Sequence, residues 1–302
     1  MTPFKPGSKY LFAVLFLALC WVAPAALAAA EEETPELPRA KAEIVDFDPT
    51  GVWSRSKSFG QVKDEEGVQV ISFPDEKNFF AYYVPPGHKP ERVMVAVHGT
   101  GGSPYEELKD EIPMAKEFDY IVVAVNWFKP DTGFFKADAL YNEILEALAY
   151  VQKAEKIELD KVGYIGFSRG AAVSYEIAYL DAHSKYHLFK FFIAHSGGIP
   201  ADFRVEAKNE GSQPDNFMRK LALGGLGQAP MKGTTFFLYS GDLDEHWKLK
   251  MSEQVGNAKN IIEKNGGTVV EWVHRTDLGH GGLRKDRSIN EKAVRAFIEK
   301  TP

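Results

Sequence analysis

From residue 93 onward the chain carries a series of short apolar runs: Val93 to Val97, Ile121 to Val125, Val162 to Phe167, Phe191 to Ala194, Phe236 to Tyr239 and Val269 to Val273, the last broken only by Glu271. Runs of this length without alternation read as strands covered on both faces. Between them apolar residues return at helical spacing, as at Leu140, Ile144, Leu148 and Val151, and again at Val294, Phe297 and Ile298. Strand alternating with helix predicts an α/β fold, with a mostly parallel sheet and helices on both faces. Val68 to Phe73 and Phe79 to Val84, followed by Pro85-Pro86-Gly87, predict an antiparallel N-terminal edge. Ser103, Pro104 and Glu106 supply a cap, a first-turn proline and a capping-box acid for the helix after the first core strand, and Ser288 with Glu291 do so for the last helix. The stretch from Gly197 to Lys232 interrupts this rhythm with Gly211, Pro214, Gly224, Gly225 and Gly227. It predicts a small excursion at the site mouth, with a helix around Asn216 to Leu223 and no large lid.

The first residues change the picture of where the domain begins. Lys5 and Lys9 precede an apolar run from Tyr10 to Val22 and then the small residues Ala25 to Ala30, the pattern of a cleaved secretory signal over residues 1–28. A retained anchor needs a longer uninterrupted run than one broken at Pro24. Glu31 to Arg39, with four glutamates and two prolines, reads as a disordered spacer within residues 29–40, leaving 41–302 as a single domain. Cys20, the only cysteine, lies in the discarded part after Leu19, which disfavours both a lipid attachment there and any disulfide in the mature chain. Losing Lys5 and Lys9 takes the formal charge from −6 to −8, a balance that does not attract nucleic acid. The expected product is secreted or periplasmic and keeps no membrane anchor.

Chemistry concentrates at the carboxyl ends of the expected strands. Gly166-Phe167-Ser168-Arg169-Gly170 directly follows one strand and precedes the helical stretch Ala171 to Leu180, the context of a nucleophile elbow with Ser168 at its apex. A serine hydroxyl needs a base to take its proton. Among eight histidines His280, in Asp277-Leu278-Gly279-His280-Gly281-Gly282 between the last strand and the last helix, is the best placed after both the serine and an intervening acid, since His274 belongs to the strand itself. The acid should follow the Phe236 to Ser240 strand, where Asp242 and Asp244 compete. An aspartate directly after Gly241 suits a turn-shaping role through its own backbone bonds, and Asp244 is the better placed to reach the imidazole. His98-Gly99-Thr100-Gly101-Gly102 stands where an oxyanion hole belongs, with the Arg169 amide as a second donor. It lacks the lysine and hydroxyl of a P-loop and the spacing of a dinucleotide fingerprint. The acids around His246 lack a second group spaced to complete a metal site, so neither metal nor organic cofactor is expected.

Together these residues resemble the α/β-hydrolase superfamily and, within it, secreted esterases similar to polyhydroxybutyrate depolymerase and feruloyl or acetylxylan esterases. The resemblance runs from about Phe79 to Ile298 and rests on Gly166 to Gly170, His98 to Gly102, the Gly241-x-x-Asp244 spacing and Gly279-His280, with Ser196-Gly197-Gly198 as a less specific strand end. It supports Asp244 as the acid and implies Thr100 as the other oxyanion amide. Relatives often place an aromatic residue or a proline close behind the final histidine, where this chain has Gly281, Gly282 and Leu283. The expected activity is ester hydrolysis through Ser168, His280 and Asp244. Trp127 and Phe128, in the loop after the second core strand, and Trp247 are candidates either to line the substrate pocket or to pack beneath a loop. A peptidase of the same fold and a non-catalytic binding protein are the rival readings.

Overall fold

A computed structural model describes Leu37 and residues 57–73, 78–129, 133–200, 214–246 and 249–302. The segments read as signal and spacer lie, Leu37 apart, outside the described residues, and one compact unit runs from Pro35 to Pro302. Its strands are β1 (Val68–Phe73), β2 (Asn78–Tyr83), β3 (Arg92–Val97), β4 (Tyr120–Val125), β5 (Val162–Phe167), β6 (Phe189–His195), β7 (Thr235–Gly241) and β8 (Thr268–Arg275). Among the described residues these form one eight-stranded sheet in the order β1-β2-β4-β3-β5-β6-β7-β8. The β1 strand pairs antiparallel with β2 and β2 with β4, while every pair from β4 to β8 is parallel. This is the expected α/β-hydrolase fold, with its antiparallel edge.

Alternation in the central strands feeds two cores. Val93, Val95 and Val97 of β3 pack into one cluster and Met94 and Ala96 into the other, since successive side chains leave a strand on opposite faces. The first cluster takes the apolar sides of α2 (Ala137–Glu155), α3 (Arg169–Ala182), α4 (Pro214–Ala222) and α5 (Met251–Lys264). The second takes Tyr105, Leu108 and Ile112 of α1 (Pro104–Phe118) together with Val294 and Phe297 of α6 (Arg287–Lys300). Burying both faces is what makes these strands read as unbroken apolar runs.

Two helix starts differ in detail from the sequence reading. Ser103 is the residue that caps α1, but its side chain makes no cap hydrogen bond. For α6 the cap is Asp286 rather than Ser288: the Asp286 carboxylate accepts from the Ser288 amide at 3.1 Å, and a negative charge there also suits the helix dipole. Glu291 pairs with Arg287 instead of reaching back to the cap. At the far end of α6, the Arg92 side chain at the start of β3 donates to the Thr301 carbonyl at 3.0 Å, fastening the helix to the amino end of the sheet.

Candidate active site

The turn from β5 into α3 is built by close approach of backbone. A Cβ on Gly166 would overlap the carbonyl of Gly170, one on Gly170 would overlap that of Val97, and one on Gly197 would overlap that of Ser168. Only glycine fits at these three points. Ser168 itself sits at φ 53°, ψ −111°, a region that costs an L-residue on the order of 1–3 kcal/mol and persists only when its surroundings enforce it. Here they do: the Ser168 amide donates to His195 O at 2.8 Å, the Ser168 carbonyl accepts from Ala172 at 2.9 Å, and Tyr164 Oη donates to Gly170 O at 2.8 Å.

The loop after β3 runs alongside this turn. A Cβ on Gly99 would stand 2.9 Å from the Ser168 Cβ, so the loop passes at van der Waals distance from the serine, with Thr100 exposed beyond it. His98 is buried, its Nδ1 lies 2.8 Å from Gly99 O and its Nε2 lies 3.3 Å from Asn126 Oδ1. Burial pushes the His98 imidazole down to about 4. Asn126, also buried, is held in turn by its amide donating to Asn78 Oδ1 at 2.6 Å and Phe128 O at 3.1 Å. Trp127 Nε1 donates to His98 O at 2.9 Å. Trp127 is therefore a buried support of the loop, only 2% exposed, rather than an open pocket wall. A two-residue hairpin, Phe128–Lys129 with Gly133–Phe134, brings Phe134 within 4.9 Å of Phe128 and 4.6 Å of Trp127, ring to ring. The Arg169 guanidinium lies 4.4 Å over the Phe134 ring, and Arg169 is the first residue of α3.

His280 and Asp244 meet from loops 36 residues apart. The His280 Nδ1 stands 2.7 Å from Asp244 Oδ2, and the carboxylate is 5% exposed. An acceptor at Nδ1 fixes the proton there and leaves the Nε2 lone pair free. The His280 ring packs against that of Phe167, the residue before Ser168, with centroids 4.9 Å apart. Its loop is fastened from below: Ser196 Oγ donates to His280 O at 2.8 Å, the Leu283 amide donates to His195 Nε2 at 3.2 Å, and Tyr239 Oη donates to Gly279 O at 3.3 Å. His195 is buried, and that burial holds its imidazole well below the ordinary histidine range. It is consequently neutral and able to accept.

Asp242 does not shape the turn with its own side chain. Its Oδ1 lies 2.7 Å from His274 Nε2, and hydrogen bonds from His274 and then Ser252 hold its carboxyl below the usual range. Trp247 lies outside the described residues. Among the described residues no group of three or more histidine, cysteine or acidic side chains is arranged to hold a metal ion. The supporting residues His195, Ser196 and Asn126 escaped sequence reading. Only the strand-end Ser196-Gly197-Gly198 hinted at one of them, because their partners stand tens of residues away.

The family described as Serine hydrolase (FSH1) matches residues 102–271, a span that takes in Ser168 and Asp244. No curated protein matches the chain. Solved structures do. An esterase from the fungus Rhizomucor miehei superposes with a TM-score of 0.58 at 15% identity, covering 78% of this chain and 82% of its own. EstE1, a carboxylesterase cloned from a metagenomic library, gives 0.59 at 15%, over 77% and 88%. The esterase LipW from Mycobacterium marinum gives 0.54 at 16%, over 89% and 95%. At such identities the likeness is one of fold.

Proposed function

Because the chain belongs to the FSH1 serine hydrolase family, we propose that it hydrolyses carboxylic esters through Ser168, His280 and Asp244, by way of an acyl-enzyme. The observation that carries this reading is the 2.7 Å contact between His280 and a buried Asp244, with the imidazole packed on Phe167 beside a serine in a strained turn. His280 Nε2 takes the proton of Ser168 Oγ as it attacks the ester carbonyl. The carbonyl oxygen gains negative charge between the amides of Thr100 and Arg169, each such donor contributing roughly a factor of 100 to 1,000 in rate. The imidazolium, stabilised by Asp244, then protonates the leaving alcohol, and water repeats the sequence on the acyl-enzyme. Phe128 and Phe134 offer an apolar wall on the oxyanion side.

Purified protein incubated with short-chain p-nitrophenyl esters and a fluorophosphonate probe tests the reading beside Ser168→Ala. Turnover and labelling should both disappear in the variant, and their survival would remove Ser168 from its role. A panel of acetylated, feruloylated and polyester substrates then ranks the acyl and alcohol groups accepted.

We also infer export, from Lys5, Lys9 and the apolar run that follows them. Among the described residues no helix is long and apolar enough to cross a membrane. Amino-terminal sequencing of protein recovered from an expressing culture should begin near Ala29, and a recovered chain that still starts at Met1 would contradict the inference.

A further inference from the structure

Four residues beyond His280, in the single helical turn Gly282–Lys285, stands an arginine that the catalytic steps above do not use. The Arg284 side chain is 21% exposed, and its Nη2 lies 2.6 Å from both Glu107 Oε1 and Glu107 Oε2. Its Nε lies 2.9 Å from Asp110 Oδ2, and its guanidinium carbon sits 4.1 Å over the Phe167 ring. Glu107 and Asp110 belong to α1, the helix that grows out of the oxyanion loop. Phe167 belongs to the nucleophile turn, and its ring also contacts the imidazoles of His280 and His195 at 4.9 Å. One guanidinium thus touches the helix behind the oxyanion loop and the residue before the nucleophile, while its own backbone carries the turn after the base.

Stability alone is a poor reason for this cluster. A buried ion pair seldom outperforms well-packed apolar residues of the same volume, because two charges must leave water. Here the cost is visible in one of the acids: burial raises the Asp110 carboxyl, against the pull of Arg284. What a planar guanidinium supplies that an apolar group does not is fixed geometry: Nη2 directed at Glu107, Nε directed at Asp110, and a flat face on an aromatic ring. That is the property needed where three separate chain segments must hold reacting groups in register.

We propose that Arg284 is a positioning residue for the hydrolytic reaction: gripped by Glu107 and Asp110 and laid flat on Phe167, it sets the His280 turn against the nucleophile and the oxyanion loop. This rests on the ester-hydrolase reading above. The backbone anchors at Ser196 and His195 hold the height of the loop, and Arg284 holds its lateral placement relative to α1.

Two variants test it. Arg284→Lys keeps the charge but loses the plane and the second nitrogen, and Arg284→Met with Glu107→Gln and Asp110→Asn removes the three charges together so that neither partner carboxylate is left uncompensated. Each is measured for p-nitrophenyl acetate turnover, for thermal unfolding, and for the downfield proton resonance of the His280 Nδ1–H, identified by its disappearance in Asp244→Asn. In variants that unfold near the wild-type temperature, kcat should fall roughly 10- to 100-fold while KM stays within about twofold, and the resonance should shift or broaden. A folded variant with wild-type kcat and an unmoved resonance overturns the proposal, as does an activity loss that merely follows the loss of folded protein. Should the wild type itself neither turn over esters nor label, the functional reading fails separately. The resonance then decides the positioning alone, a shift supporting it and its constancy refuting it.

Discussion

Two histidine–aspartate pairs flank the carboxyl end of β7, and by contact distance they are twins. His280 meets Asp244 at 2.7 Å and His274 meets Asp242 at 2.7 Å, with the two imidazoles 40% and 39% exposed. What separates them is the carboxylate and the ring nitrogen. Asp244 is 5% exposed and engages Nδ1, leaving Nε2 available, whereas Asp242 is 28% exposed and consumes Nε2 itself. His280 packs on Phe167, one residue from Ser168, while His274 lies in an edge strand stacked on Trp272 at 5.3 Å. A short contact between an acid and an imidazole therefore says little about catalysis. The free nitrogen and what it faces say much more.

The most severe way to break the comparison is to neutralise each acid in turn. Asp244→Asn should lower kcat for p-nitrophenyl esters on the order of 10⁴-fold by destroying the needed tautomer, and Asp242→Asn should leave it nearly unchanged. A larger loss at Asp242 would exchange the roles of the two pairs. A gentler cut removes one hydroxyl from each pair's surroundings. Ser196→Ala deletes the bond to His280 O, and an alignment bond worth about 1 kcal/mol corresponds to roughly a fivefold to tenfold loss of kcat. Ser252→Ala deletes a bond to Asp242 and should leave steady-state kinetics where they were. The smallest effect is one of acid stability. The Asp242 carboxyl is held low in the folded state, so its contribution is present above about pH 4 and fades as pH falls through its lower folded value. Melting temperatures of wild type and Asp242→Asn should accordingly differ at pH 6 and converge toward pH 3. A gap that widens on acidification would reverse the sign of that linkage.

Much of this architecture was readable from residue order. The apolar runs placed the central strands to within about two residues, since strands buried on both faces announce themselves without alternation, and the two half-exposed edge strands were placed equally closely by their β-branched and aromatic content. Gly166 and Gly170 marked the nucleophile turn because close backbone approach leaves no other residue type. The pairing of His280 with Asp244 followed from chain order and a four-residue spacing. The Phe128–Lys129 and Gly133–Phe134 hairpin was not legible, because two-residue strands carry no period. Nor was Trp127 as a buried support, since an indole reads alike in a pocket and beneath a loop until its donor finds a partner. Arg284 was the least legible of all. Its partner Glu107 stands 177 residues earlier, and a lone arginine in a polar turn resembles any other surface charge.

The bond from Arg92 to Thr301 has a practical corollary. It ties the last turn of the chain to the first residue of β3, whereas His98 and the serine lie past the last, so the six residues of that strand, roughly 20 Å of extended backbone, intervene. Anything joined after Pro302, whether a fluorophore, a resin linker or a second domain, departs from the side of the sheet turned away from the chemistry. Tethering there should present the mouth of the enzyme to solution rather than to the support.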